Sequence, residues 1–364
     1  MEPDFAIVGG GIVGLSIAYG LLKRGKRVTV FDEGDVAFRA ARGNFGLVWV
    51  QSKGLGQPEY AKWTRRSARA YRAFSDELTA ISNQDLSFIQ DGGYIIHMTE
   101  KSLEAERAEY DELKVALGGD YPYELMGHSA LKTEEPNIGP SVAGALYFPE
   151  DGHINPLRLL QSLVIAVKSL GGEILPDTQI QNINPSTSGF VLDAGDKGCF
   201  GAAKVVLAAG LGAMELGPKL GFKAPIRPQQ GQILITEKLP KLINRPNVEV
   251  RQVNDGGVQI GASHAEVGLN DLEDLPTVAE LAAQAVRMFP KLEKAKLVRG
   301  WAALRIMSPD GLPIYQQSPN FLGAFFVTCH SGITLAAAHS EFLSSWLIGL
   351  DDAPDLSVFS EERF

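Results

Sequence analysis

Near its start the chain passes from a short apolar segment, Phe5-Ala6-Ile7-Val8, straight into Gly9-Gly10-Gly11-Ile12-Val13-Gly14 and then into an apolar helical pattern. A second apolar segment, Val28-Thr29-Val30-Phe31, ends at Asp32. Strand, G-x-G-x-x-G turn, helix, strand and terminal acid is the order of a dinucleotide-binding βαβ unit. Gly9 permits the tight turn, Gly11 lets backbone N–H groups approach a pyrophosphate, and Gly14 lets helix and strand pack closely. The helix opening at Gly11, Ile12 and Val13 aims unpaired N–H groups and the positive end of its dipole at the phosphates. Asp32, with Glu33 beside it, can accept both ribose hydroxyls and would repel a 2′-phosphate, which argues against NADP. The alternative is a fortuitous glycine-rich turn, which the strand–helix–strand–acid context disfavours.

At 364 residues the chain exceeds one ordinary core, so two domains are expected. With 45% apolar and 21% charged residues it is globular rather than disordered. A net charge of −9 without a basic stripe disfavours a nucleic-acid surface. Cys199 and Cys329, neither in a C-x-x-C pair, fit a reducing compartment and exclude a four-cysteine iron–sulfur cluster held by this chain alone. No histidine–carboxylate cluster has metal-ligand spacing, so no metal is expected. No basic leader precedes the glycine motif, which points to the cytoplasm. The most apolar stretch, Phe321 to Ala338, is broken by His330, Ser331 and Gly332 and reads as buried strand, loop and helix start, not as a membrane span.

Further along, residues 57–80 suggest one or two surface helices, 86–98 a turn into a strand, and 101–117 another helix. Asn155-Pro156 opens a helix as N-cap and N1, Gly171-Gly172 closes it, and Glu173-Ile174-Leu175 follows as a strand. Lys204 to Gly210 is continuously apolar before its small-residue end, as a central parallel strand would be. Residues 233–235, 248–253 and 258–260 read as antiparallel strands, with a helix over 277–289. The expected fold is an α/β Rossmann-like nucleotide domain (1–85, 145–225 and 308–364) with an inserted α+β substrate domain on an antiparallel sheet (86–144 and 226–307).

Five segments in order carry a resemblance to the D-amino-acid oxidase family of flavoproteins, which includes glycine and sarcosine oxidases. They are Val8–Gly14 with Asp32; Ala40-Ala41-Arg42-Gly43-Asn44-Phe45-Gly46; Gly171 to Ile180; Ala208-Ala209-Gly210-Leu211-Gly212; and Arg305 through Pro313 with His330-Ser331-Gly332-Ile333-Thr334-Leu335. The resemblance implies non-covalent FAD. Ala41, Arg42, Asn44, Phe45, Gly46 and Leu47 would close over the pyrophosphate and reach the flavin. Ile180 would lie on a strand contacting adenine through its backbone. Ala208, Ala209, Gly210 and Gly212 would let the dinucleotide approach closely, and the 330–334 loop would return to the isoalloxazine. Cys329 lacks the neighbours of the family's cysteine linkage. The run Arg42 to Gly54 further resembles the catalytic beta subunits of bacterial opine oxidases and related hydroxyproline dehydrogenases. Those oxidise a secondary amine beside a carboxylate, often with partner subunits carrying a flavin or an iron–sulfur cluster.

Such chemistry moves a hydride from the substrate α-carbon to flavin N5 and needs little acid–base equipment if the amine enters neutral. That suits a chain with six histidines and no triad. Arg305 resembles the family's carboxylate-binding arginine, although Ala303 and Ile306 replace the usual glycine and proline. A guanidinium offers a carboxylate two parallel hydrogen bonds; the alternative is an arginine paired to a surface acid. His264 is a candidate substrate contact, Gln51 either a site residue or a satisfied buried amide, and Trp49 and Lys53 lie on the same run. For His330, packing and a redox role stay open. Competing readings are a dehydrogenase subunit, a stand-alone oxidase using oxygen, and a non-catalytic flavin-bearing subunit.

Overall fold

Alternation along the first strand sets the layering. In the computed structural model, which describes residues 2–34 and 40–364, Phe5 and Ile7 face one core while Ala6 and Val8 face another. Phe5–Val8 is an inner strand of a six-stranded sheet ordered Ile314–Gln317, Ala324–Thr328, Lys204–Leu207, Phe5–Val8, Val28–Phe31, Glu173–Leu175. Every neighbouring pair is parallel except the edge hairpin Ile314–Gln317/Ala324–Thr328. Burial on both faces explains why these strands are apolar throughout.

Helices Ile12–Lys23, Pro58–Ser82 and Pro156–Ser169 cover one face. Asn155 caps the last of them, accepting from the N–H groups of Leu157 and Arg158. Residues 57–80 form a single helix of 25 residues, Pro58–Ser82, and it is not merely superficial. Tyr60, Trp63, Tyr71 and Phe74 are all buried in the main core. On the other face lies an antiparallel sheet, Asn182–Ser186, Gly189–Asp193 and Cys199–Ala202, which contributes Ile183, Phe190 and Leu192 to the second core. Sequence reading did not identify this sheet. Ile180, expected on a strand, precedes it in irregular chain. The Pro176–Asp177 turn (Asp177 φ +51°) redirects the backbone, and the Thr178 N–H donates to the Asp32 carbonyl.

A third core joins two separate pieces of chain. Tyr94, Ile96, Leu131 and Ala145 pack with Leu234, Val250, Ile260, Leu281 and Met288. The first group belongs to the sheet Gly93–His97, Gly144–Phe148, Glu124–Gly127 and its helices. The second belongs to the antiparallel sheet Val250–Gln252, Val258–Ile260, Arg227–Thr236, Leu297–Met307 and the helix Leu275–Met288. The strand expected over 248–253 narrows to Val250–Gln252 because Asn247 turns the chain, its Oδ1 accepting from the N–H groups of Glu249 and Val250. Asp274 starts the helix two residues early by accepting the Thr277 N–H. Among the described residues no helix is long and apolar enough to cross a membrane.

The first helix meets the C-terminal helical segment backbone to backbone. A Cβ on Gly20 would lie 2.1 Å from the Ser340 carbonyl oxygen, beside the π-helical turn His339–Leu343. No rotamer can relieve that contact. Gly20→Ala is therefore expected to cost about 1–3 kcal/mol, read as a lowered Tm in thermal unfolding. An unchanged Tm would show that the two segments are not held this close.

Candidate active site

Two glycines draw three elements together at the C-terminal edge of the sheet. Gly9 has φ +114°, and a Cβ there would lie 2.3 Å from the Ala208 carbonyl oxygen; a Cβ on Gly14 would lie 2.0 Å from the Gly9 carbonyl oxygen. Gly11 has nothing within 4 Å of its Cβ position and heads the helix without a capping side chain. The leading N–H groups, carried by Gly11, buried Ile12 and part-buried Val13, thus end the helix uncapped by any side chain, as anion recognition requires. The carboxylate of Asp32 accepts the Gly10 N–H at 2.9 Å and the Gly34 N–H at 3.0 Å, which fixes its direction at the end of the second strand. Glu33 accepts from Gln179. Ala208, Ala209 and Gly210 (φ +57°) are part-buried, and Gly212 is exposed. A cradle that side chains would fill, facing an uncapped helix, fits the diphosphate of FAD.

The loop from Ala41 to Gly46 ties this cradle to the antiparallel sheet. Ala41 packs on the main core and Arg42 is exposed. Asn44 Oδ1 accepts the Gly46 N–H at 2.7 Å, and Trp301 Nε1 donates to the Gly43 carbonyl at 3.3 Å. A Cβ on Gly43 would come within 2.3 Å of the Ala303 Cβ, so Gly43 supplies the room that Ala303 takes up. Phe45 lies with the Arg251 guanidinium 5.6 Å from its ring centroid, and its ring approaches Gly261. Leu47–Val48 then pairs with Gly152–His153. Gln51 is fully buried and donates its amide to Asp151 at 2.6 Å.

The 330–334 loop is held from behind by the helix Pro58–Ser82. Tyr60 donates to Ser331 Oγ at 3.1 Å, Tyr71 to the Ile333 carbonyl at 2.9 Å, and Ser67 to the Thr334 carbonyl at 2.6 Å. Thr334 Oγ1 accepts the Trp49 N–H. Gly332 approaches Val13, bringing this loop to the start of the first helix. Sequence reading missed Tyr60, Ser67 and Tyr71. Their recurrence on one helix face was visible, but the carbonyls they would meet were not.

Arg305 lies on Leu297–Met307, with its guanidinium packed over Gly231 of the paired strand; a Cβ there would sit 2.4 Å from both Nη atoms. Nη1 donates to the carbonyls of Ser263 (2.8 Å) and Gln230 (3.2 Å). Ala262, at φ +79°, turns the chain so that Ser263 presents its carbonyl, while Ser263 Oγ accepts the Gln232 N–H. Among the described residues no carboxylate forms an ion pair with Arg305, and burial pushes its pKa down. His264 stands 3.0 Å from Gln229 Oε1, and burial and then the charge of Arg305 lower its pKa. Burial, followed by Lys53, Arg305 and His264, drives the His330 imidazole down to about 3, so it is neutral at physiological pH. The structure brings Arg305, His264, His330 and Lys53 together electrostatically; Gln51 turns its amide to Asp151 instead. Among the described residues no group of three or more metal-ligating side chains is assembled.

Asp32→Ala removes the carboxylate that the sequence pattern assigns to a ribose and leaves the N–H groups of Gly10 and Gly34 without their partner. FAD retention should weaken by about 1.5–3 kcal/mol for each charged hydrogen bond lost. Calorimetric titration of apoprotein with FAD measures this, and equal affinity in the variant would remove Asp32 from the role.

Residues 4–346 match the FAD dependent oxidoreductase (DAO) family. The chain is 38% identical to an opine oxidase subunit of Agrobacterium tumefaciens (strain Ach5) over 100% of this chain and 98% of that one. Its identity to the corresponding opine oxidase subunit of Rhizobium meliloti is 37%, again over 100% and 98%. Among solved structures, glycine oxidase from Geobacillus kaustophilus superposes with a TM-score of 0.92 at 26% identity, covering 100% of this chain and 99% of that one. With the glycine cradle and the uncapped helix, these likenesses make the chain a member of the FAD dependent oxidoreductase (DAO) family, an enzyme of the amino-acid oxidase and dehydrogenase class that binds FAD non-covalently.

Proposed function

We propose that this enzyme oxidises the C–N bond of a secondary amino acid, an opine or a hydroxyproline, as the catalytic subunit of a dehydrogenase complex. The observation that carries this reading is Arg305, a part-buried guanidinium held by carbonyls and facing no acid among the described residues. An uncompensated buried charge is costly, so its natural counter-ion is a ligand carboxylate. The subunit assignment and the secondary amine rest on the likeness to the two opine oxidase subunits.

In this reading residues 1–85, 145–225 and 308–364 hold FAD, and 86–144 with 226–307 enclose the substrate. Gly9, Gly11, Ile12, Val13 and Gly14 receive the diphosphate, with Ala208, Ala209, Gly210 and Gly212 alongside. Asp32 and Glu33 serve the ribose, and Ile180 lies by the adenine. The loops Ala41–Leu47 and His330–Thr334 bracket the ring. Bound FAD supplies the acceptor, at flavin N5, for the hydride that leaves the substrate α-carbon.

The chain's own residues align and discharge the substrate. Arg305 fixes the carboxylate and with it the α-carbon. Arg305 and Lys53 disfavour a third positive charge nearby, which lowers the substrate amine's pKa and favours the neutral form that can give up hydride. His330, neutral, and His264 add no competing anion. Gln51 acts by holding Asp151 and the loop above it.

Arg305→Ala should retain FAD and lose about 2–5 kcal/mol of transition-state binding, roughly 30- to several-thousand-fold in kcat/KM. Arg305→Lys should recover only part, because a point charge cannot make two parallel hydrogen bonds. Dye-coupled kinetics on a substrate and its α-amide provide the check. Wild type prefers the acid and Arg305→Ala loses most of that preference; an undiminished preference would place the clamp elsewhere. Turnover should also be faster with a dye than with oxygen, and equal rates would favour a stand-alone oxidase.

A further inference from the structure

The site contains a second cation that forms no ion pair among the described residues. Lys53, on the turn after Val50, donates from Nζ to Ser331 Oγ at 2.9 Å. Among the described residues no carboxylate lies within ion-pair distance of it. Cys329 and Asp151 act on it, but the Cys329 thiol is pushed up to about 12 by burial, and Asp151 is fully buried and already accepts the N–H groups of Val50 and Gln51 and the Gln51 side-chain amide. Ser331 Oγ also takes the Tyr60 hydroxyl, so the ammonium is fixed in place but not neutralised. Burial lowers Lys53 to about 8, with the charge of Arg305 acting in the same direction, and both cations act on His330. The fully buried guanidinium of this region is a poorer anchor. Arg251 spends Nη1 on His153 and the Ile154 carbonyl and Nε on Gln259, and Phe45 lies across it.

One cation accounts for one carboxylate. We propose that Lys53 is a second carboxylate anchor, so that the site takes a secondary amine flanked by two carboxylates, one on the open edge of Arg305 and one on the Lys53 ammonium. This rests on the reading of the site as one for secondary amino acids, and within that reading it selects an opine-like dicarboxylate over a monocarboxylate such as hydroxyproline. The chemistry follows from charge. Two part-buried positive groups that act on the same His330 imidazole repel each other, and a ligand with two anions and a neutral nitrogen compensates both. Ser331, hydrogen-bonded to Lys53 and belonging to the loop next to the first helix, fixes the position of the Lys53 ammonium.

The test is anaerobic flavin reduction of the holoenzyme by three probes: alanine carrying an N-carboxyethyl group, the monoamide of that compound at the carboxyethyl end, and N-ethylalanine. In wild type the dicarboxylate should exceed the monoamide in reduction efficiency by at least about thirty-fold, the effect of truncating one member of a buried charge pair. In Lys53→Met that ratio should collapse to within about three-fold, and Lys53→Arg should restore part of it. Equal efficiency of dicarboxylate and monoamide in wild type overturns the proposal without recourse to any variant. A Lys53→Met enzyme that slows on all three probes alike, with weakened FAD retention, also overturns it and assigns Lys53 to the cofactor. Reduction by none of the probes nor by any other amino acid would overturn the underlying reading, and this one with it.

Discussion

The site depends on positive charge that the protein does not neutralise. Arg305 is held by two backbone carbonyls over a glycine, and Lys53 by one serine hydroxyl; neither meets an acid among the described residues. A folded chain tolerates such groups only when dipoles orient them and a ligand completes them. The carbonyl of Ser263, turned inward at the left-handed Ala262, and the loss of a side chain at Gly231 both serve this one arrangement. The left-handed Ala262 and the missing side chain at Gly231 therefore have a common cause.

The nucleotide half follows a different rule: backbone approach. Gly9 meets Ala208, Gly14 meets Gly9, and Gly20 meets Ser340, each at a distance that a Cβ would forbid. These contacts align the first helix with the strand end on one side and with the C-terminal helical segment on the other. The 330–334 loop is then locked by hydroxyls of the helix Pro58–Ser82. The two halves are joined broadly: Phe88, Tyr110 and Tyr121 belong to the main core, Phe88 against Tyr71, and Arg251 donates to the Ile154 carbonyl. Trp301 bonds to the Gly43 carbonyl, and Phe45 lies between Arg251 and Gly261.

Much of this was legible in the sequence, for physical reasons. Gly9 and Gly14 were legible because the turn leaves no room for a Cβ at either, and Gly11 and Asp32 stand where the pattern expects a diphosphate and a ribose. Continuous apolarity marked the central strand Lys204–Leu207, and Asn155-Pro156 marked a helix start. Local pattern could not show the sheet from Asn182 to Ala202, whose alternation is short and interrupted by polar turns. Nor could it show that the amphipathic helix Pro58–Ser82 is buried on its aromatic face. Partnerships between distant residues were beyond reach: that Gln51 belongs to Asp151, that Arg305 meets no acid among the described residues, and that Lys53 meets Ser331. Those depend on which segments the topology makes neighbours, and no periodicity encodes that.

The central claim is that this chain removes a hydride from the carbon between an amine nitrogen and a carboxylate and passes it to its own flavin. The most direct measurement is a single turnover without oxygen or dye, mixing the FAD-loaded wild-type protein with excess opine and following the flavin absorbance and the released products together. Loss of the oxidised flavin band matched stoichiometrically by a 2-oxo acid and the free amino acid is the result the account predicts. An oxidised flavin that persists against opines, hydroxyprolines and simple amino acids alike, yet is bleached by a partner protein, would contradict it.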